Sequence, residues 1–498
     1  MLHPRLMCLA CTAVISAGGG AAEWTNTAGL AVNSYYSSNI CRVPNDEEEK
    51  LVGTVTPNVN LRGEGARAFV ALDAAVEYNT LGESSLECPQ GGAGFGVANR
   101  ETWVPRINFL SEFEAVENFL FLEADAFAAQ NSVNPFVTGG DDNINGVGNT
   151  NITSRWGAGA RIQRQYSERW AVLARYNYNE QYNSFNQVLG DSQEDRVELD
   201  VGMIPEASRF SLGVRGQYSE VTFDETLTQP EFVNRLSRLE LRSALQLSRS
   251  WQLNAYGGEE DNVFLSSSDE VDGSYWDVGL RWAPNDRVTV NAGYGERFFG
   301  DAPRFDISYR HKRTQLTASY IRDLQFPRNI RAADGGEVAS DPLNPDVGLP
   351  GDPLAGAGGP TFIGQTPVLN ENFTLSYRFN ARRTTFSVQA NDSQQTRAEN
   401  GSTGSFQNVT AIVTRQLGVS LSGDVRLGWR NNEGDINGTG GGLFGQNLEA
   451  WTVGLGVQQK LGPETILSLR YLYTDQTSDT DFNTFEENRV DLGLRFSF

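Results

Sequence analysis

Long apolar runs are absent from this 498-residue chain. No stretch reaches the roughly 18 to 20 apolar residues that a membrane-spanning helix needs, so a helical membrane protein is excluded. A transmembrane β-barrel is not excluded. Its strands are apolar on one side only, so their average hydropathy looks polar.

Histidine is almost as scarce, with two residues in the whole chain. His3 lies in the predicted export signal, and His311 lies in a predicted short turn beside Lys312 and Arg313. Catalysis by a Ser-His or Cys-His pair needs a histidine held against its nucleophile, and a solvated turn residue does not offer that. Neither a phosphate-binding loop nor a metal-ligand cluster is present. We therefore predict no enzyme, no cofactor and no metal, although paired carboxylates for sugar hydrolysis stay open because acids are numerous.

Basic residues are in deficit: 40 Lys and Arg stand against 62 Asp and Glu, a formal net charge of −22. This balance argues against a nucleic-acid partner, which needs a basic surface. The acids gather in predicted loops. They are either solvated loop charge or carboxylates that bridge divalent cations to anionic surface sugars.

The N-terminus has the pattern of a cleaved export signal. Arg5 precedes an apolar run from Leu6 to about Ala17, and small residues lead to Ala22. We predict a signal peptide over residues 1–22 and a mature chain over 23–498. Two of the four cysteines leave with the signal; Cys41 and Cys88 remain, as one disulfide of an oxidising compartment or as two free thiols.

The dominant pattern of the mature chain is period two, repeated from end to end. In the last segment Val490, Leu492 and Leu494 alternate with Asp491 and Gly493. Similar alternation recurs near residues 209–215, 238–247, 276–282, 373–379 and 424–429. The sequence therefore predicts an all-β fold, a single antiparallel transmembrane barrel.

The polar side of these segments contains many arginines, which suits a wet lumen better than a dry core. They either form ion pairs with inward acids or bind an acidic polysaccharide. The predicted lumen-facing arginines are Arg209, Arg215, Arg242, Arg281, Arg310, Arg378, Arg426, Arg470 and Arg495.

Connections between the segments alternate short and long, a second feature of such barrels. Counting from Thr25 to Phe498 predicts about 22 strands, within a range of 18 to 24, with both termini in the periplasm. The longest connection, 326–370, is predicted to be extracellular. Its Gly-, Pro- and Asp-rich part, 331–366, is either a disordered loop or a lid over the lumen.

The C-terminus carries the most specific motif. Asp491, Gly493, Phe496 and the terminal Phe498 fit a polar–x–Gly–x–x–aromatic–x–aromatic pattern. It resembles the signal that outer-membrane barrels present to the barrel assembly machinery. An extended strand with a free backbone edge can pair with an open sheet. We expect this strand to close the barrel against the first strand, near Ala28 to Tyr36.

Three further segments carry a family resemblance. They are Tyr294 to Tyr320, with its aromatic-Gly start and basic turn, Asn33 to Ile40 followed by the Pro57 strand, and Glu487 to Val490. Together they resemble the uncharacterised outer-membrane proteins associated with PEP-CTERM/exosortase systems, whose genes sit with exopolysaccharide loci. The resemblance implies a role in exopolysaccharide production or export, or in surface sorting, and it supplies no catalytic residues.

Three functions follow as hypotheses for a Gram-negative outer-membrane protein that contacts lipid and lipopolysaccharide. The first is a wide pore for exopolysaccharide, the second a general porin or nutrient channel, and the third a non-conducting surface scaffold. A TonB-dependent transporter is disfavoured because no N-terminal plug is predicted.

Overall fold

The computed structural model describes residues 23–80, 102–132, 150–184, 190–204, 208–226, 230–267, 271–325, 366–434, 447–479 and 481–498. Within these ranges the chain forms β-strands and one short 3-10 turn, Asp481–Asn483. No helix there is long and apolar enough to cross a membrane. The predicted signal peptide 1–22 lies outside the described residues.

Twenty-two long strands and one two-residue strand, β14, make up the sheet. Their bounds are β1 Glu23–Ser37, β2 Lys50–Glu64, β3 Ala68–Asn79, β4 Trp103–Val116, β5 Leu120–Ser132, β6 Thr150–Gln165, β7 Trp170–Asn183, β8 Ser192–Met203, β9 Phe210–Phe223, β10 Phe232–Gln246, β11 Trp251–Val263, β12 Gly273–Asn285, β13 Val288–Arg297, β14 Gly300–Asp301, β15 Arg304–His311, β16 Thr314–Gln325, β17 Val368–Asn380, β18 Thr384–Arg397, β19 Thr403–Gln416, β20 Leu421–Gly434, β21 Leu448–Lys460, β22 Thr465–Ser478 and β23 Phe485–Ser497.

Each long strand pairs antiparallel with the next one along the chain, and the last pairs with the first. In that closing pair Gly29 lies opposite Ser497 and Ser37 lies opposite Arg489. Phe498 extends the pairing by donating its amide N–H to the Ala28 carbonyl at 2.7 Å. The predicted barrel of about 22 antiparallel strands, closed near Ala28 to Tyr36, is confirmed.

The connections divide the barrel into two ends. One end, here called the turn end, carries short turns such as 65–67, 166–169 and 461–464; the other, the loop end, carries most of the longer connections. Glu23 pairs with Glu64, and Phe498 contacts Ala28, so both ends of the described chain lie at the turn end. The long connection is shorter than predicted: β17 begins at Val368, while 326–365 lie outside the described residues.

The outer surface is an apolar band. Leu51, Leu239 and Leu492 are 67%, 60% and 51% exposed on it. Paired aromatics mark its two edges: Trp251 stacks on Trp282 near the turn end, and Tyr78 contacts Trp103 near the loop end. A continuous apolar surface with aromatic rims is what a bilayer stabilises, because hydrocarbon covers the band and the rings sit at its interfaces.

Candidate functional site: the lumen and the closing seam

The strand register decides which predicted arginines face the lumen. Side chains alternate across each strand, so residues on the face opposite the apolar band point inward. Eight of the nine lie on inward positions of their strands, and the ninth, Arg209, directly precedes β9 and donates to the Gln246 carbonyl at 3.0 Å. Arg426 and Arg470 are buried, whereas Arg281, Arg310 and Arg378 are exposed.

The inward faces of β4 to β15 form a surface that we call the charged wall, because arginines and acids alternate across neighbouring strands there. Arg161 reaches Glu112 at 2.6 Å and Glu123 at 2.8 Å, and Arg175 also pairs with Glu123. Arg215 and Arg242 share Asp200. Of the predicted arginines on this wall, Arg215 and Arg242 therefore form ion pairs, whereas Arg281 and Arg310 are exposed.

The charged wall continues around a deeply buried carboxylate. Glu260, 3% exposed, accepts from Arg238 at 2.7 Å and from Arg297 at 2.8 Å. Arg297 also pairs with Asp323, and its guanidinium lies 4.7 Å from the Phe299 ring. Such charges are stable in a lumen only when each has a partner, because an unpaired buried charge is strongly unfavourable.

The inward faces of β16 to β19 form a second surface, the neutral wall. Amides and hydroxyls bond to one another across its strands: Ser319 to Thr374 at 2.6 Å, Asn391 to Asn372 at 2.7 Å and Ser393 to Asn370 at 2.8 Å. Ionisable side chains stand on it only at its two ends. These are Arg378 toward the turn end and Asp323 and Arg397 toward the loop end.

Accessibility changes along the lumen. Inward side chains toward the loop end are buried, among them Asn79 at 1%, Gln395 at 1% and Asn432 at 0% exposed. Several inward side chains nearer the turn end are exposed, among them Arg281, Arg310 and Arg378, and so is Gln389 in the middle of β18. The part of the lumen that a solute can reach therefore opens at the turn end.

The closing seam explains two of the motifs found in the sequence. The segment Asn33 to Ile40 ends β1, and Glu487 to Val490 begins the paired stretch of β23, so the two meet although some 450 residues separate them. Ser37 Oγ donates to Glu487 at 2.7 Å, and Arg42 Nε donates to the same carboxylate at 3.0 Å. Glu487 is 3% exposed, so this contact closes the seam at the loop end.

The residues of the predicted assembly signal lie in the same strand. Asp491 faces inward and accepts from Arg489 at 2.7 Å, whereas Phe496 faces outward beside Leu30. Gly493 faces inward where a Cβ would lie 2.6 Å from both Asn33 Oδ1 and Ser468 Oγ. Phe498 is 71% exposed at the end of the strand. The glycine thus permits close side-chain contact on both sides of β23.

The connection between β1 and β2 folds onto this seam. Asn39 donates to the carbonyls of Val43 at 2.7 Å and Glu486 at 3.1 Å, and Ile40, Cys41 and Val43 pack in a small apolar cluster. Cys41 is disulfide-bonded. Its predicted partner Cys88 lies outside the described residues, so that pairing stays a prediction.

The third motif, Tyr294 to Tyr320, runs from β13 through β14 and β15 into β16. Its aromatic-Gly start sits where two strands approach closely: a Cβ on Gly295 would lie 2.3 Å from the Trp276 carbonyl oxygen. Phe299 is flanked by two guanidinium groups, of Arg297 and Arg322. His311 ends β15 and contacts Arg287 at 3.2 Å, next to the turn of Lys312 and Arg313. The motif therefore builds the sheet from β13 to β16.

The sequence reasoning missed the neutral wall. Its signal is readable in β18, where the alternate residues Thr385, Ser387, Gln389, Asn391 and Ser393 are all uncharged and polar. Predictions based on arginines alone do not reveal this row, because its residues carry no charge. Among the described residues, no group of three or more His, Cys, Asp or Glu side chains could hold a metal ion.

Comparison with known proteins gives the fold. No family model and no curated protein matches the chain. Among solved structures, the siderophore receptor PirA from Acinetobacter baumannii matches with a TM-score of 0.52 at 10% identity, over 95% of this chain and 81% of that one. The FrpB iron transporter from Neisseria meningitidis gives 0.53 at 10% identity, over 95% and 82%.

A variant of the ferric enterobactin receptor PfeA from Pseudomonas aeruginosa, in complex with enterobactin, gives a TM-score of 0.53 at 13% identity, over 95% of this chain and 81% of that one. Identities this low carry the architecture and not the substrate. The chain has an outer-membrane β-barrel fold similar to that of these receptors and transporters.

Proposed function

We propose that the protein is an outer-membrane channel that exports exopolysaccharide, in a system of the PEP-CTERM/exosortase type. The observation that carries the proposal is a polar lumen whose reachable part opens at the turn end. Barrels of this size have an interior too wide for side chains alone to fill. Side chains of both signs, together with amides, keep this interior wet and suited to a hydrophilic polymer.

The orientation follows from the connections. In bacterial barrels short turns face the periplasm and longer loops face outward, so the turn end is the periplasmic end and both termini lie there. A polymer made inside the cell meets this end first. A lumen that is accessible from the periplasm suits export, and the resemblance to exopolysaccharide-associated proteins supplies the substrate class.

The route to the membrane is part of the same proposal. A signal peptide over 1–22 delivers the chain to the periplasm, and the barrel assembly machinery recognises the strand that ends at Phe498. The finished barrel contacts lipid and lipopolysaccharide through its apolar band. The ligands named for the structural neighbours are not carried over, because only the fold is shared.

An enzymatic role has little support. His311 lies at the turn end and contacts Arg287 at 3.2 Å. Among the described residues, its hydrogen-bond partner is therefore a guanidinium group and not a serine or cysteine nucleophile. The structural neighbours named above are receptors and a transporter. We propose that the chain transports and does not catalyse.

Two measurements on the full-length protein test the proposal. Purified barrel in planar bilayers should give a large, steady conductance, and a deletion strain should secrete clearly less exopolysaccharide than its complemented parent. Conductance with unchanged secretion would instead identify a general porin. Silence in the bilayer would identify a non-conducting surface scaffold.

A further inference from the structure

We propose that the neutral wall of the lumen is a binding track for an uncharged polysaccharide. This inference rests on the proposed export function and names its substrate class. It arises from the contrast between the two walls: acids and arginines pair on one, whereas amides and hydroxyls cover the other.

The chemistry of the wall fits sugar hydroxyls. A hydroxyl group or a primary amide offers both a donor and an acceptor, as each hydroxyl of a neutral sugar does. On the charged wall, arginine and carboxylate satisfy one another, as Arg161 does with Glu112 and Glu123. An anionic polymer would have to break such pairs and would also meet the lumenal acids, whereas a neutral polymer would not.

The geometry of the wall leaves groups available for a ligand. Gln389 is exposed to the lumen, and Ser387 and Asn391 beside it on β18 are half-buried. Asn391 donates to Asn372 and its own Oδ1 is buried, so the exposed amide of Gln389 is the group on this strand that a ligand reaches first. From Thr385 to Asn391 the strand rises about 20 Å at roughly 3.4 Å per residue, which is long enough for several sugar rings.

Weak, repeated contacts also suit movement. Conduction requires sites that are favourable enough to enter and weak enough to leave, and a row of similar sites allows a polymer to pass from one to the next. A hydrogen bond between uncharged groups contributes a factor of roughly two to ten in affinity. The row Thr385, Ser387, Gln389 and Asn391 provides such sites without a single strong one.

The test is block of the channel current by a neutral glucose hexasaccharide, compared with a galacturonic acid hexamer of the same length. We expect the neutral sugar to block at lower concentration. The double variant Ser387→Ala/Gln389→Ala should weaken that block by about tenfold. The matched control is Gln252→Ala/Asn254→Ala, two inward polar residues on β11 of the charged wall, which should change it less than twofold.

Stronger block by the acidic hexamer, or equal effects of the two double variants, would overturn the neutral track. An absence of current in the wild-type protein would reject the proposed channel function. Titration calorimetry of the neutral hexasaccharide into detergent-solubilised barrel then tests the binding track independently of conduction. Binding that the β18 variant weakens supports it; no binding by the wild type rejects it.

Discussion

At the scale of single residues, Gly295 shows why a glycine stands in the aromatic-Gly motif. A Cβ there would lie 2.3 Å from the Trp276 carbonyl oxygen and 2.9 Å from the Asp277 Cα, and backbone atoms cannot move aside cheaply. Forcing extra atoms into a packed site destabilises by about 1 to 3 kcal/mol. We expect Gly295→Ala to lower the free energy of unfolding in urea by that amount.

The control for this substitution is Gly216→Ala on β9, where a Cβ would meet no atom within 4 Å. Its stability should stay within about 0.5 kcal/mol of wild type, as for a surface change. Equal midpoints for the two variants would show that the close approach of β12 and β13 has no energetic consequence.

Arg297 offers a second residue-scale prediction. Its guanidinium, 14% exposed, bonds to Glu260 and Asp323, so Arg297→Ala leaves two carboxylates short of a partner. Arg238 continues to pair with Glu260, and we therefore expect a loss of about 2 kcal/mol, below the full effect of breaking a buried pair. Urea unfolding followed by tryptophan fluorescence measures it.

The exposed pair of Arg62 and Glu64 is the comparison, at 60% and 58% side-chain exposure. Arg62→Ala should change stability by less than about 0.5 kcal/mol, because solvated pairs contribute little. If Arg62→Ala lowers stability as much as Arg297→Ala, burial in the lumen is not what makes the ion pairs of the charged wall stabilising.

From the sequence, the face on which a residue lies could be predicted, but its contact partner could not. Period two placed Arg215 and Arg242 on inward faces because alternation is a property of one strand. It could not show that both meet Asp200, because that depends on the register between β8, β9 and β10. The neutral wall was missed for a related reason. Uncharged polar residues on one strand are common, and they form a continuous surface only when β16 to β19 lie side by side.

At the scale of elements, the seam between β1 and β23 joins two strands from opposite ends of the described chain. Its loop end is held by Glu487, which accepts from Ser37 and Arg42. Glu487→Gln removes the carboxylate charge, so the Ser37 bond becomes neutral and the Arg42 ion pair is lost; charge-assisted bonds are about twice as strong as neutral ones. We expect faster amide hydrogen exchange in residues 38–49, by about tenfold, because the connection detaches from the seam more often.

The control variant is Glu64→Gln, whose carboxylate is exposed at the turn end and bonds to Arg62. In this variant, amide hydrogen exchange in residues 38–49 should stay at the wild-type rate. If Glu487→Gln also leaves exchange at the wild-type rate, the contacts of Asn39 and the Cys41 disulfide hold the connection without help from the carboxylate.

The elements were largely predictable because strands of a barrel repeat one physical pattern and turns punctuate it. The count of 22 and the pairing of Phe498 with Ala28 follow from an even number of strands that must close. The predicted connection ran to residue 370, whereas β17 begins at Val368, three residues earlier. The folding of Ile40, Cys41 and Val43 onto the seam is a tertiary contact without a local signature.

At the scale of the whole molecule, the two walls and the gradient of accessibility make the lumen asymmetric in two directions. Around the barrel the wall changes from ion pairs to amides. Along the barrel it changes from buried side chains at the loop end to exposed ones at the turn end. No single strand shows either asymmetry, which is why the sequence indicated a wet lumen and not its layout.

Cysteine accessibility in cells tests the longitudinal asymmetry and the orientation together. We expect a bulky, membrane-impermeant thiol reagent to label Asn400→Cys, exposed in the β18–β19 connection at the loop end, in intact cells. Val419→Cys, at a position 99% exposed at the turn end, should react only after the outer membrane is permeabilised.

Gln389→Cys should follow Val419→Cys, because its part of the lumen opens on the same side. Asn432→Cys, at a position 0% exposed, should react at least tenfold more slowly. Labelling of Val419→Cys in intact cells would reverse the orientation, and labelling of Gln389→Cys there would show that the lumen admits large solutes from outside.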